Sequence, residues 1–398
     1  MNAKVLGKVG AANLLVKQAG TAGAPVTVTF QVTDRCNYSC VHCYQEHEVR
    51  DELSFDEISR ILGEIAELNV LFLTLVGGEF FMRPDANKIL QRAHDLGFAI
   101  KLLSTGHHIH DKRADFLRTV RPIQVDLSVY GATKDKHEAV TDHPGSWERT
   151  IAAAKRLIER DIPVQLKTPV MEQNAGEIND LTALAGELGA HFSADAKITT
   201  MEDAGTDPVW LRMRGDTLKT FYRDKDNGIA TQMHTVFEGF DPSKQWRKLD
   251  QTPCRAGQQS CSIDQRGNVR PCQSLNVPMG SLREQSFREV WFGSKGLDEI
   301  RNLTWADISE CNRCEVRNYC QRCHAMALLE HGEMRGPSLE ACRHAVAVRD
   351  SLRDAGIVPA NHTALPPTWD RVNADGLHEQ VQKGDQPGVR PVKLRVIV

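Results

Sequence analysis

Apolar and polar positions in the first half of the chain alternate between two periods. "VTVTFQVT" (26–33) alternates residue by residue and is β-branched, the pattern of a strand. "SFDEISRILGEIAELN" follows, with Ser54 as N-cap and Glu57 three residues on as its capping-box partner. Ile58, Ile61, Leu62, Ile65 and Leu68 then recur at helical spacing. "LFLTLV" (71–76) is a short continuous apolar run, which reads as a strand buried on both faces. The cycle repeats with helices near 85–96, 111–119, 147–160 and 176–188. Between them lie strands over 98–105, 123–129, 163–170 and 191–199.

Six strands alternating with helices predict an α/β fold, a parallel sheet with right-handed crossovers curved into a partial (β/α)6 TIM-type barrel. Ligands of such sheets lie at the carboxyl ends of the strands. The predicted organisation is an N-terminal arm (1–25), the barrel (26–205) and a helical bridge (206–253). A small cysteine-dense domain with a β-hairpin and short helices (254–345) and a polar C-terminal arm (346–398) follow, and "KLRVIV" is a candidate extra strand in that arm.

Composition narrows the class. The 398 residues are 41% hydrophobic with a net charge of −3, which gives no electrostatic case for nucleic acid or anionic lipid as partner. No apolar run is long enough to span a membrane, and the N-terminus has no signal-peptide core. The expectation is a cytoplasmic enzyme. The 11 cysteines fall in two groups, 36–43 and 254–342, and in a reducing compartment grouped C-x2-C spacings point to metal.

"TDRCNYSCVHCYQ" (33–45) places Cys36, Cys40 and Cys43 on the loop after the first strand, facing the barrel mouth. Three thiolates at this spacing can hold a cubane iron–sulfur cluster and leave its fourth iron open. Three structural cysteines, or zinc with a distant fourth ligand, are the competing readings. The motif, the strand before it and "VGGEF" after the second strand resemble the radical S-adenosylmethionine (SAM) superfamily. The resemblance implies that SAM chelates the open iron and is cleaved reductively to a 5′-deoxyadenosyl radical, which abstracts hydrogen from a substrate carbon. By the same resemblance His42 takes the place of an aromatic near the adenine. Gly77, Gly78 and Glu79 lie at the methionine end of SAM, and Ser104, Ser128 and, beyond them, Lys167, Thr168 and Asn174 sit where the family contacts SAM. Acid–base candidates at the mouth are Glu79, His107, His108, Asp126 and Asp195.

The remaining eight cysteines resemble the SPASM extension of radical SAM peptide maturases. That resemblance assigns Cys254, Cys261, Cys272 and Cys323 to auxiliary [4Fe–4S] cluster I, and Cys311, Cys314, Cys320 and Cys342 to cluster II. "IDQRGNVRPC" reads as a hairpin turning through Gly267 that brings Cys261 and Cys272 to one site. Spacing alone does not separate these clusters from zinc. The implied cofactors are SAM and three [4Fe–4S] clusters. The implied partners are a peptide or protein substrate and a reductant such as flavodoxin or ferredoxin.

The expected reaction is oxidation or crosslinking of a ribosomally made peptide. Formylglycine formation in sulfatases, dehydrogenation of a sugar or aminoglycoside, and a non-catalytic iron–sulfur electron carrier are the alternatives. Gln273 stands where sulfatase maturases place an aspartate base, and Gln cannot take a proton. Some 25 residues precede the first strand, too few for a leader-binding domain there.

Overall fold

The computed structural model describes residues 23–372, apart from 46, 48, 240, 242, 243 and 245. Its frame is six parallel strands, neighbours in chain order: β1 (Thr27–Gln31), β2 (Phe72–Val76), β3 (Ala99–Ser104), β4 (Gln124–Ser128), β5 (Val164–Pro169) and β6 (His191–Asp195). Helices α1 (Phe55–Glu67), α2 (Ala86–Asp95) and α3 (Asp111–Val120) make the first three crossovers. The fourth holds two helices, α4 (Lys134–Thr141) and α5 (Ser146–Ile158), and α6 (Ile178–Leu188) makes the fifth. The Ser54 capping box forms as predicted, and Ile58, Ile61, Leu62 and Ile65 of α1 are fully buried. Each such side chain contributes roughly 1.5–3 kcal/mol. Helix α4 was missing from the sequence reading because "KDKHEAVT" has no apolar stripe and buries only His137, Val140 and Thr141.

The reading of β2 as buried on both faces is corrected. Leu73 and Leu75 face the helices, while Phe72 and Thr74 are half-buried on the other face. Across the sheet that second face carries Thr29, Lys101, Gln124, Asp126, Gln165 and Lys167. The six-strand arc thus encloses a polar lumen, open at the strand ends, in place of a packed apolar centre.

The hairpin does not stand apart from this sheet. Strand β7 (Ser260–Ile263) adds to the outer edge of β1 in parallel, with Val28 beside Cys261, and β8 (Asn268–Arg270) and β9 (Gly280–Ser281) continue it to nine strands. The turn is held by the Asp264 carboxylate, which accepts from the backbone N–H groups of Arg266 and Asn268 at 3.0 and 2.8 Å, with Gly267 at φ +89°. Pairing across β1 fixes the cysteine-rich region rigidly against the barrel mouth.

Helices α7 (Gly215–Arg223) and α8 (Gly228–Phe237) form the bridge. The cysteine-rich part adds α9 (Phe287–Gly293), α10 (Lys295–Asn302), α11 (His324–His331) and α12 (Leu339–Asp354). Helix α12 runs through position 345 and packs on the bridge, where the Tyr222 hydroxyl meets His344 Nδ1 at 2.8 Å. The chain after it returns to lay Thr368 Oγ1 3.7 Å from Cys342 Sγ. The candidate strand "KLRVIV" lies outside the described residues.

Candidate active site at the barrel mouth

Cys36, Cys40 and Cys43 lie half-buried on the loop after β1. The turn is closed by the Cys43 N–H donating to the Cys40 carbonyl at 3.0 Å; Cys43 acts electrostatically on Cys36 and Cys40, and Cys36 on Cys40. Burial pushes Cys36 up to about 11 and Cys40 up to about 12, and raises Cys43 as well. Thiols held protonated by desolvation become thiolates only when a cation replaces the proton, as iron would. Two neighbours were not read from the sequence. His47 bridges the loop, with Nε2 3.1 Å from Cys43 Sγ and Nδ1 3.2 Å from the Asp34 carbonyl. Tyr38 packs edge-on against His107 and tilted against His143, its hydroxyl 3.2 Å from His107 Nδ1. Burial lowers His107 to about 4, so it is neutral at pH 7.

Gly77 and Gly78 follow β2 and press directly on the cysteine loop. A Cβ on Gly77 would lie 2.7 Å from Thr33 Cγ2, and one on Gly78 would lie 2.6 Å from the Arg35 carbonyl oxygen. Their glycine requirement thus comes first from the approach of this loop. Glu79 is fully buried. Its carboxylate accepts from Ser104 Oγ at 2.9 Å, from Thr105 N and Oγ1 at 2.6 and 2.7 Å, and from Phe81 N at 3.1 Å. Both oxygens are engaged in tying the β2 loop to the β3 loop, which makes Glu79 a positioning residue.

His42 packs edge-on against Tyr130 with ring centroids 4.6 Å apart. Its Nδ1 is buried without a partner, and burial lowers its pKa to about 4. A neutral imidazole with an unpaired nitrogen is suited to meeting a purine. Cys40 acts electrostatically on buried Tyr130, and Ser128 ends β4 two residues before it. Asn174 is consumed in the loop after β5: its amide donates to the Tyr130 and Pro169 carbonyls, and its oxygen accepts from Met171 N. Buried Asp126 in the lumen is flanked by Lys101 at 3.6 Å and Lys167 at 3.9 Å. Asp195 is exposed and caps Lys197 N at 3.0 Å, an ordinary loop role.

Gln273 is drawn to the mouth. Its amide donates to Gln31 Oε1 at 2.6 Å, and the Gln31 amide donates to Asp34 Oδ1 at 2.6 Å. Gln265, from the hairpin, donates to the other Asp34 oxygen. Burial pushes Asp34 up to about 6. Beside it lies a polar cavity of about 130 Å³ bounded by Glu202, Asp264, Arg266 and Arg270. Arg270 pairs with Glu202 and with Asp264, each at 2.9 Å, and so bridges the loop after β6 to the hairpin across the open side of the barrel.

The later cysteines fall into electrostatically coupled groups. Cys311, Cys314, Cys320 and Cys342 form one set, coupled electrostatically to one another. Cys254, Cys272 and Cys323 form a second, joined by Ala256 and Leu275 in a small apolar cluster. Cys261, on β7, packs in the main core. Beside Val28 in register it points into the barrel core, where burial raises its thiol and only Arg301 acts on it electrostatically.

A half-buried three-thiol loop at the mouth of a half-open α/β barrel, with a thiol-rich domain joined to its first strand, fits an iron–sulfur enzyme of the barrel type. A family model of the radical SAM superfamily matches residues 30–185, and the SPASM model, an iron–sulfur cluster-binding domain, matches residues 254–315. The chain is a radical SAM enzyme with an SPASM domain, and SAM and iron–sulfur clusters are the cofactors of that class. It is 28% identical over 329 residues to the AdoMet-dependent heme synthase of Methanosarcina barkeri, covering 78% of this chain and 94% of that protein. It is 25% identical over 360 residues to the PqqA peptide cyclase of Rhizobium meliloti, covering 86% and 92%. Among solved structures, Streptococcus suis SuiB bound to precursor peptide SuiA superposes with a TM-score of 0.64 at 17% identity, covering 79% of this chain and 75% of that one.

Proposed function

We propose that this enzyme oxidises or crosslinks a carbon of a ribosomally made peptide. The observation that carries the reading is the convergence of the Cys36–Cys40–Cys43 loop with a polar lumen and cleft at the same strand ends, bounded by Gln273 and the Arg270 bridge. When bound at the trio, a [4Fe–4S] cluster with one open iron would hold SAM and supply the electron that breaks its C–S bond. The chain's own part is to place and shield. His42 packs against Tyr130, two residues beyond Ser128, and Glu79 fixes the β2 and β3 loops. Lys101, Asp126 and Lys167 offer charge to a substrate entering the lumen.

The similarity to a peptide cyclase and the SuiB-like fold support a peptide in preference to a porphyrin, and a cleft lined with Asp, Glu, Arg, Asn and Gln suits main-chain amides. The reading places two auxiliary [4Fe–4S] clusters on the two SPASM thiol sets. It also places the enzyme in the reducing cytoplasm, where its 11 cysteines stay free and flavodoxin or ferredoxin supplies electrons. Among the described residues no helix is long and apolar enough to cross a membrane.

The test is anaerobic incubation of reconstituted enzyme with SAM, reductant and the precursor peptide encoded beside its gene, with a porphyrin arm in parallel. The expected result is 5′-deoxyadenosine together with peptide lighter by a pair of hydrogens. Turnover of porphyrin with untouched peptide contradicts the reading.

A further inference from the structure

Five buried guanidinium groups among the described residues are held by carboxylates. Arg83 pairs with Asp85, Arg212 with Glu330, Arg270 with Asp264, Arg343 with Glu340 and Arg349 with Asp350. Arg322 is buried as deeply, at 3% exposure, yet its partners among the described residues are neutral. Nε donates to the Gly336 carbonyl at 3.2 Å, Nη2 donates to the Met334 and Gly336 carbonyls, and Nη1 donates to His324 Nδ1 at 2.6 Å. A desolvated charge without a counter-ion is costly enough that the finished protein must supply one.

What lies around Arg322 is sulfur. It occupies the position before Cys323 and two after Cys320, and its charge acts on Cys311, Cys320 and Cys323. Those thiols come from both auxiliary sets. A second observation points the same way. Because His324 Nδ1 accepts from Arg322, its ring proton sits on Nε2, and that atom is buried with no partner. An N–H donor next in sequence to Cys323 lacks an acceptor of the kind a cluster sulfide provides.

The electrostatic setting of the first trio is opposite. Glu79 acts on Cys36, and Glu202 and Asp34 act on Cys43. Around the four-thiol set, Arg317 acts on Cys311 and Cys314, and Arg247 acts on Cys320. Glu310 and Glu315 oppose them there, but Glu315 is exposed and screened, and Glu310 lies 3.9 Å from Arg371.

We propose that Arg322 is the built-in counter-charge of the auxiliary clusters. It raises the reduction potential of the cluster on Cys311, Cys314, Cys320 and Cys342 above that of the cluster on Cys36, Cys40 and Cys43. Through Cys323 it acts on the other auxiliary set as well. The physical basis is that a one-electron reduction adds negative charge, which a nearby buried cation stabilises and nearby carboxylates destabilise. The inference rests on the reading that both auxiliary sets hold [4Fe–4S] clusters.

The experiment is a dithionite titration followed by EPR on anaerobically reconstituted full-length protein. It is run in the wild type and in a Cys36→Ala/Cys40→Ala/Cys43→Ala background, where only auxiliary signals remain. Arg322→Met is expected to move the auxiliary midpoints to lower potential, and Arg322→Lys to recover most of that shift. The midpoint of the first cluster stays where it was. Full iron with unshifted auxiliary midpoints in Arg322→Met overturns the proposal, as does a lysine variant displaced as far as the methionine variant. Should Arg322→Met fail to retain auxiliary iron, full retention by Arg322→Lys supports the counter-charge, and equal loss in both overturns it. Metal analysis of the wild type keeps the two readings separate. Zinc at the auxiliary sites removes the cluster reading itself, whereas iron with no shift removes only the role of Arg322.

Discussion

Gly78 sets how closely the loop after β2 can approach the cysteine loop. A methyl group there would lie within 2.6–2.9 Å of Arg35 and Asp34 backbone atoms, which cannot swing aside as a side-chain tip can. Gly78→Ala should therefore displace the Cys36 segment, lowering iron by about four per chain and abolishing SAM cleavage while auxiliary signals persist. Iron analysis with EPR checks this; retention of the full complement would show that the loop yields. At this scale the sequence was informative where a motif is contiguous. Cys36, Cys40 and Cys43 share one short loop, and Gly77-Gly78-Glu79 share the next strand end, so spacing carries their geometry. It was silent on His47 and Gln31, whose roles depend on a fold that brings Asp34 between them. It also could not show that Asn174 and Asp195 are spent on local hydrogen bonds.

At the scale of elements, the decisive contact is β7 on the edge of β1. Pairing between strands more than two hundred residues apart leaves no local mark in either segment, so the hairpin was legible but its attachment was not. Cys261, on that strand, packs in the core, which yields a clear contrast. Cys261→Ala should keep the full iron content and lose only about 1 kcal/mol of stability from the vacated volume. Cys272→Ala should lose auxiliary iron. Loss of iron from both would place Cys261 in the ligand set. The edge has a second consequence: a chain ending before β7 exposes the unpaired backbone of β1 and should aggregate, as static light scattering would report. A monodisperse truncated barrel would show that β7 is dispensable. Helix α4 and the polar lumen were missed for a related reason, since a helix without an apolar stripe and a half-buried strand carrying Phe72 give misleading local patterns.

For the whole molecule, the architecture separates two electrostatic settings within one continuous sheet. The mouth holds three thiols near carboxylates, and the appended domain holds eight more, of which Cys311, Cys314, Cys320 and Cys323 lie near buried arginines. The α/β class, the six-strand order and the two cysteine-bearing regions were all legible, because repeated periodicity and grouped cysteines survive as one-dimensional patterns. The Arg270 bridge was not, since it arises only when distant segments are packed together. The account stands on the trio at the mouth. The most direct measurement compares anaerobically reconstituted wild type with the Cys36→Ala/Cys40→Ala/Cys43→Ala variant, counting iron and quantifying 5′-deoxyadenosine from reduced protein and SAM. The account predicts about twelve irons falling to about eight, with SAM cleavage lost entirely. Undiminished iron, or 5′-deoxyadenosine formed without the three thiols, would contradict it.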